Sequence, residues 1–327
     1  MAAPETPAGG ISLTSTIENE RSPHHSGLDD DHEPFIYTSV RYDASLRASP
    51  ENTAASFNIS CPFYLLEHHW TRLRVAEWSA QFWTDSGIPP KAHSRPADFL
   101  HSLLFAVRQW QRSHPKEAEW AEALRVRRRV YQSGRVTTEI YQIPRQPLHV
   151  LFPQSLDAGG GKGALNGVIP GNNPAAETEW TAVLDVRSTE VTDATMYKIW
   201  DRSPQSRARA DAGILTLGAT KEVLMYNAEA EVLDGSNSTP YFHRQGKWVT
   251  PVSSSGGLQG VTRRWALEKG LCVEGVVATD SLEDGEVVWF SNGVRGFFRA
   301  VYRRRDPSLG IPASDPAQVG RIMRQLV

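Results

Sequence analysis

Hydrophobic and polar positions alternate at the start of the patterned region, residues 34–43 ("PFIYTSVRYD"). A period of two is typical of a strand whose two faces meet different surroundings. One face carries Phe35, Tyr37, Ser39 and Arg41, and the other carries Ile36, Thr38 and Val40. We therefore predict a strand here as the first ordered element.

Helical spacing follows in two places. Residues 61–82 predict a short strand entering an amphipathic helix, and residues 96–114 predict a second helix. Residues 122–144 predict two strands joined around Ser133-Gly134, which is a hairpin pattern. The apolar stripes of the two helices consist of Leu73, Ala76 and Ala80 in the first and Phe99, Leu103, Val107 and Trp110 in the second.

Short strands dominate the rest of the chain. Residues 179–188, 222–251 and 285–304 predict strands, with turns at Asn227, Asp234-Gly235 and Gln245-Gly246. Residues 193–213 and 261–271 predict helices between them. These patterns predict a two-domain protein of the α/β (α+β) class. Its boundaries are a disordered segment over 1–33, an N-terminal α/β domain over 34–152, an interdomain linker or lid over 153–177, a larger strand-rich domain over 178–305 and a tail over 306–327.

Composition narrows the classes of function. The chain has 327 residues and a net charge of −2, so no global charge attracts it to nucleic acid or to acidic membranes. It has two cysteines, which supply neither a disulfide framework nor a zinc pattern. No apolar run approaches the ~20 residues that span a bilayer. We expect a cytoplasmic protein with a small-molecule substrate and without a nucleic-acid or membrane partner. We also expect no metal site, because the side chains of His68 and His69 are adjacent on a helix and point in different directions.

One glycine-rich stretch precedes a predicted helix, residues 256–268 ("GGLQGVTRRWALE"). The first N–H groups of a helix have no intrahelical partner, and the helix dipole makes that end positive. Glycines allow an anion to approach the backbone closely. Gly260, Val261 and Thr262 are therefore candidates for binding a phosphate. On this stretch alone an ordinary loop capped by Thr262 is the favoured interpretation, because one glycine-rich loop is a weak signal.

Several motifs in order resemble the fold-type IV pyridoxal-phosphate (PLP) enzymes, the class IV aminotransferases and aminodeoxychorismate lyases. The motifs are "EVLMYN", "EVLDGSNSTPYFHRQGKWVTP", "GGLQGVTRRWALE" and "GEVVWFSNGVRGFF". The resemblance covers residues 34–303 and is best over 222–298. It implies a D-amino acid aminotransferase-like fold, with a small α/β N-terminal domain and a larger strand-rich pseudo-barrel, and a homodimer that uses PLP.

The resemblance also assigns the phosphate contacts. "HWTRL" matches a family His-x-x-Arg-Leu pattern, in which Arg72 would bind the cofactor phosphate. Arginine suits this role because its planar fork matches phosphate oxygens and stays charged. The glycine-rich stretch supplies a second contact, and Ser291 and Asn292 of "SNG" resemble a third.

Lys198 is the implied catalytic residue, which would form a Schiff base with PLP. The family places a lysine before a hydroxyl-rich pair and then arginines; here Ile199 and Trp200 stand in place of the hydroxyl residues, and Arg202, Arg207 and Arg209 follow. A shorter alignment of "TEVTDATMY" would place Glu190 at the lysine position and remove the covalent link. We prefer Lys198, because the distance between "VLD" and "RAR" then requires no gap.

A carboxylate must pair with the pyridine nitrogen of PLP. The family residue is a glutamate before Gly-Ser, and this chain has Asp234 at that point, one methylene shorter. An Asp-Gly turn is the alternative reading. Thr38, Arg41, Arg127 and Arg295 are weaker candidates for contacting the substrate, and Arg127 also suits a basic edge strand.

Three functions stay open at this point. The first is a lyase resembling aminodeoxychorismate lyase, whose reaction releases pyruvate and 4-aminobenzoate, in folate synthesis or in specialised biosynthesis. The second is a class IV aminotransferase with the same cofactor residues. The third is a cofactor-free enzyme or binding protein on the same scaffold, which the departures at Ile199, Trp200 and Asp234 motivate.

Overall fold

The computed structural model describes residues 15–18, 33–85, 95–156, 180–216, 218–305 and 316–326. Its strands are β1 (Ser15–Glu18), β2 (Phe35–Tyr42), β3 (Ala123–Tyr131), β4 (Val136–Ile143), β5 (Thr181–Leu184), β6 (Lys221–Tyr226), β7 (Val232–Gly235), β8 (Thr239–Arg244), β9 (Lys247–Pro251), β10 (Val273–Gly275), β11 (Val287–Asn292) and β12 (Gly296–Tyr302). Its α-helices are α1 (Pro50–Ala54), α2 (Leu66–Ser79), α3 (Gln81–Thr84), α4 (Pro96–Ser113), α5 (Pro115–Trp120), α6 (Leu148–Leu151), α7 (Asp193–Met196), α8 (Ser203–Asp211), α9 (Val261–Glu268) and α10 (Pro316–Leu326).

The small sheet is antiparallel and has the order β1-β4-β3-β2. The predicted alternation of β2 is confirmed, because Ile36 and Val40 are fully buried in the core that β2 shares with α2 and α4. The predicted hairpin is also confirmed as β3 and β4. The opposite face of this sheet carries Tyr37 and Ser39, and it faces the cavity described below.

The predicted helices of the first half match α2 and α4, and their apolar stripes are buried. The short strand predicted before α2 is wrong: only one isolated pair, Tyr42 with Phe63, forms there. The reason is a side chain. Asn52 donates to the carbonyls of Cys61 and Phe63 and accepts from the N–H of Leu65, so these backbone groups are satisfied without a neighbouring strand.

The large sheet has eight strands in the order β10-β9-β8-β11-β12-β5-β6-β7 and curls into a half-barrel. Three of its pairings are parallel, β10 with β9, β12 with β5 and β5 with β6, and the others are antiparallel. One apolar cluster lies between this sheet and α9 and includes Tyr241, Trp265 and Phe297. The mixed α/β class and the strand-rich second half are therefore confirmed.

Some predictions concern segments outside the described residues. The linker or lid at 153–177 is described only as far as residue 156. Within 1–33 the described residues form β1, which pairs with β4, and Glu33; the expectation of disorder stays a prediction for the remainder. Within the tail at 306–327, α10 was not predicted, and it packs against α8. In the part of the chain that the structure describes, no helix is long and apolar enough to cross a membrane.

Candidate active site

A cavity of about 200 Å³ lies where the two sheets meet. Both sheets line it, since Ser39 and Arg125 come from the small sheet and Asp234 and Ser291 from the large one. Nine of the twelve predicted site residues are in this lining. They are Arg72, Lys198, Asp234, Gly260, Val261, Thr262, Ser291, Asn292 and Arg295.

Lys198 lies on an extended segment between α7 and α8 that runs against β2. The N–H of Tyr37 donates to the Lys198 carbonyl, and the N–H of Trp200 donates to the Phe35 carbonyl, both at 2.9 Å. The Lys198 Nζ is 5.1 Å from the centre of the Tyr37 ring. Burial lowers the pKa of this amine well below its ordinary value, and the guanidinium of Arg72 adds to the effect. The surroundings of the amine thus favour its uncharged form.

The Ile199-Trp200 pair, a departure from the family pattern, has a packing role. Ile199 forms an isolated bridge with Ile36 and lies in the core of the small sheet. Trp200 packs on the aromatic cluster of Phe35, Tyr37 and Tyr131. The two apolar side chains thus anchor the segment that presents Lys198.

Asp234 faces the cavity from β7. Its Oδ1 is buried and has no hydrogen-bond partner within the described part of the chain. Burial raises the pKa of this carboxyl to about 7, against the opposing effects of the Gly235 N–H and of Arg202. A buried carboxyl oxygen without a donor can accept a hydrogen bond from a ligand.

The loop after Asp234 is fixed by a carboxylate that the sequence analysis did not identify. Glu222 is buried on β6 and accepts from the hydroxyls of Ser236 and Ser238, each at 2.5 Å. It also accepts from the Ser236 N–H at 3.1 Å. These bonds hold Gly235, Asn237 and Ser238 against the cavity.

The phosphate candidates lie together at what we call the anion end of the cavity, formed by Arg72, Gly260, Val261, Thr262 and Ser291. Gly260 is the N-cap of α9, and no side chain caps this helix. The Ser291 hydroxyl donates to Thr262 Oγ1 at 2.8 Å. Arg72 Nη2 donates to Thr38 Oγ1 at 2.7 Å. Free helical N–H groups, a guanidinium and a hydroxyl are the donors that bind phosphate.

Asn292 lines the cavity, but its amide oxygen forms hydrogen bonds within the turn between β11 and β12. Its Oδ1 accepts from the N–H groups of Val294 at 3.1 Å and Arg295 at 2.9 Å. The Arg295 guanidinium lines the cavity and stacks on Trp180, 4.3 Å from the ring centre.

Three predicted substrate residues are not in the cavity lining. Thr38 is buried behind Arg72. Arg41 pairs with Asp43 at 3.0 Å and donates to the Pro144 carbonyl. Arg127 pairs with Glu139 at 3.2 Å. Buried cations require partners, and for Arg41 and Arg127 these partners come from the protein itself.

Arg125 and Ser39 line the cavity in their place. The Arg125 guanidinium stacks on Tyr141 at 4.5 Å, and its Nε has no partner within the described residues. Burial lowers the pKa of Arg125 to about 10. Both positions could have been found from the alternation of β2 and β3, because Ser39 shares a face with Tyr37 and Arg125 shares one with Arg127.

The lining is strongly cationic. Arg202, one of the three arginines after Lys198, also lines the cavity. The other two do not: Arg207 pairs with Asp185 at 2.9 Å, and Arg209 donates to Ser236 Oγ at 3.2 Å. Asp234 is the single carboxylate among the lining residues. The cationic ones are Arg72, Arg125, Lys198, Arg202 and Arg295. The cavity therefore suits a ligand with several negative charges.

Comparisons with known proteins agree with this architecture. Residues 172–301 match the family model for amino-transferase class IV. A relative from Schizosaccharomyces pombe, named "Putative aminodeoxychorismate lyase", is 32% identical over 129 residues, 37% of this chain and 54% of the relative. The match thus spans about half the length of that relative.

Solved structures show the same fold over nearly the whole chain. A "Putative 4-amino-4-deoxychorismate lyase" from Legionella pneumophila has a TM-score of 0.56 and 13% identity, over 95% of this chain and 97% of the other. The branched-chain amino acid aminotransferase from Escherichia coli has a TM-score of 0.50 and 15% identity, over 90% and 83%. At these identities the likeness establishes the fold.

Members of this family normally use PLP, bind small-molecule substrates and are typically dimeric. The predicted resemblance is confirmed by the family match and the shared fold. The chain accordingly has the fold of the fold-type IV enzymes, and over residues 172–301 it resembles the class IV aminotransferases and aminodeoxychorismate lyases, a family of PLP-dependent aminotransferases and lyases.

Proposed function

We propose that this chain is a PLP-dependent lyase resembling aminodeoxychorismate lyase, which acts on a small amino-bearing substrate. One observation carries the proposal: the amine of Lys198 and the unpartnered carboxyl oxygen of Asp234 line the same cation-rich cavity. A specialised biosynthetic role and folate synthesis are both consistent with it.

The residues present fit PLP. Arg72, the free N–H groups at the start of α9 and the Thr262 hydroxyl would hold the phosphate. The buried Oδ1 of Asp234 would accept a hydrogen bond from the protonated ring nitrogen. Gly257 lets the loop before α9 approach β7, which carries Asp234, closely: a Cβ on Gly257 would be 1.8 Å from the Leu233 carbonyl oxygen.

PLP, when bound, supplies an aldehyde that reacts with amines and a ring that accepts electrons. Lys198 is the residue that would hold the aldehyde carbon, since burial favours the uncharged form of its amine and that form is the nucleophile. The same Nζ, once released, can take a proton from the substrate carbon and return one. The extended segment against β2 keeps this amine at one place while it does both.

The charge of Asp234 depends on the groups beside it. Burial raises its pKa to about 7, although the Gly235 N–H and Arg202 oppose this shift. A positive ring nitrogen beside it would favour the carboxylate, as an opposite charge within a few ångströms does. The Arg125 guanidinium and the Ser39 hydroxyl line the cavity together with Lys198 and are available to a substrate carboxylate.

Absorbance spectroscopy tests the proposal. Addition of PLP to the wild-type protein is expected to give a visible band, and borohydride reduction is expected to fix the cofactor on the peptide containing Lys198. The Lys198→Ala variant is expected to lose the band, whereas Lys247→Ala, at an exposed position, is expected to keep it. An unchanged spectrum on addition of PLP would favour the cofactor-free scaffold instead.

A class IV aminotransferase is the second candidate, favoured by the family match over residues 172–301. The two reactions differ in what the holoenzyme needs. A lyase releases pyruvate from 4-amino-4-deoxychorismate without an amino acceptor. An aminotransferase converts PLP to its amine form with an amino donor, and it requires a 2-oxo acid to convert that form back to PLP. A homodimer in the cytoplasm remains our expectation for its assembly and location.

A further inference from the structure

His69 is a buried polar residue that the proposed chemistry does not use. It lies on α2, one turn before Arg72, and is fully buried. Its Nδ1 is 2.6 Å from Thr38 Oγ1, and the same oxygen accepts from Arg72 Nη2 at 2.7 Å. One hydroxyl on β2 thus joins the histidine to the arginine of the anion end.

The ability of each group to donate or accept limits where the protons in these contacts lie. A guanidinium only donates, so Thr38 Oγ1 accepts from Arg72. His69 Nδ1 is the other partner of this hydroxyl among the described residues and is able to accept, so we assign the hydroxyl proton to that contact. His69 is then neutral and carries its proton on Nε2. Burial lowers the pKa of His69 well below its ordinary value, and Arg72, His68 and Lys198 lower it further, which agrees with a neutral ring.

The same ring touches the other parts of the anion end. A Cβ on Gly293 would be 2.9 Å from His69 Cε1 and Nε2 and 2.7 Å from Val261 Cγ2. The histidine therefore packs against the turn after Ser291 and lies beside the first residue of α9. Glycine at 293 is required by this close approach, and the ring sets the spacing between β2, α9 and the turn.

Arg72 depends on this arrangement. Thr38 Oγ1 is the acceptor for its guanidinium within the described residues, and its Nε has no partner there. Burial lowers the pKa of Arg72 to about 10. A long side chain with one neutral partner can adopt several rotamers. Restricting it to one rotamer when a ligand binds has an entropic cost.

We propose that His69 and Thr38 are positioning residues, which hold the Arg72 guanidinium toward the phosphate of the cofactor. The inference rests on the proposed function, because it needs PLP to bind at this cavity. Neither side chain has to touch the cofactor: Thr38 orients the arginine, and His69 orients the threonine hydroxyl.

The test compares two ligands that differ only in phosphate. Dissociation constants for PLP and for pyridoxal are measured by absorbance with wild type, Thr38→Val and Thr38→Ser. Thr38→Val is expected to weaken PLP about tenfold, the effect of one lost charge-assisted hydrogen bond, and to leave pyridoxal unchanged. Thr38→Ser retains the hydroxyl and is expected to bind PLP like wild type.

His69 variants give an independent measurement. His69→Leu removes the acceptor for the Thr38 hydroxyl and is expected to weaken PLP several-fold with pyridoxal unchanged, while His69→Asn keeps an acceptor near Nδ1 and is expected to restore PLP binding. Equal losses for PLP and pyridoxal in Thr38→Val, or no loss at all, would overturn the inference while leaving the proposed function in place. A wild-type protein that binds neither ligand would overturn both.

Discussion

At the scale of single residues, the candidate site contains charged groups in surroundings that disfavour their charge. Lys198 has other cations and an aromatic ring near it, and Asp234 has a buried oxygen without a donor. In the cofactor-free protein both groups cost stability when charged. A bound anion with a protonated ring nitrogen would remove both costs, so we expect the free protein to be sensitive to pH through these two residues.

Asp234 provides the clearer prediction. Its folded pKa of about 7 lies above the unfolded value of about 3.9. The unfolded chain then releases this proton first, so stability is lost as pH rises from about 4 through about 7 and is constant above that range. The Asp234→Asn variant avoids this loss, and we expect its stability relative to wild type to increase by about 2.5 kcal/mol between pH 5 and pH 8.

Urea unfolding of the cofactor-free proteins at the two pH values measures this effect. Asp280→Asn, the same change at an exposed position, serves as the control and is expected to behave like wild type. A relative stability of Asp234→Asn that does not change with pH would show that the carboxyl is already paired or hydrated in the free protein.

At the scale of elements, the site depends on how closely a loop and a strand approach each other. The loop of residues 256–260 leads into α9, and Gly257 brings it against the backbone of β7 at Leu233. This contact couples the anion end to the strand that carries Asp234. The sequence analysis gave the loop a role in binding phosphate, while the structure adds a role in placing β7.

A substitution at Gly257 should therefore affect both ends of the site. The Cβ of alanine would overlap the Leu233 carbonyl oxygen at 1.8 Å, so β7 and the loop must separate. We expect Gly257→Ala to weaken PLP binding by at least tenfold and to destabilise the fold by about 2 kcal/mol or more, in the range of overpacked sites. Gly218→Ala is the control, because a Cβ on Gly218 would have no heavy atom within 4 Å.

Binding and unfolding assays on the two variants decide the matter. Wild-type affinity for PLP in Gly257→Ala would mean that the loop and β7 can move apart without changing the cavity, and that the glycine has only a local conformational role.

At the scale of the whole molecule, the cavity joins the two sheets. Lys198 is held by backbone bonds to β2 of the small sheet, although its segment follows a strand of the large sheet. A ligand that contacts both sheets stabilises the folded state as a unit. PLP at one hundred times its Kd is then expected to raise the free energy of unfolding by about 2.7 kcal/mol.

Thermal unfolding followed by circular dichroism measures this stabilisation. One transition that shifts upward with PLP is expected for wild type, and a smaller shift is expected for Lys198→Ala. Two transitions, of which only one responds to PLP, would show that the sheets unfold separately and that the ligand engages one of them.

The periodic elements and the ordered motifs were predictable from the amino-acid sequence. The alternation of β2, the stripes of α2 and α4 and the hairpin of β3 and β4 were predictable, because burial of apolar side chains acts locally along a strand or helix. The motif order also pointed to the fold family and to Lys198, Arg72 and Asp234 as neighbours, and the structure places all three in one cavity lining. The domain boundaries stay a prediction.

The tertiary structure alone decided which of several similar side chains reach the cavity. In β3, Arg125 lines it while Arg127 pairs with Glu139, although both lie on the same face. Thr38 lies behind Arg72 and does not line the cavity. Ile199 and Trp200 stand where the family has hydroxyl residues, and they pack against β2. These outcomes depend on contacts between residues far apart in sequence, which no local period contains.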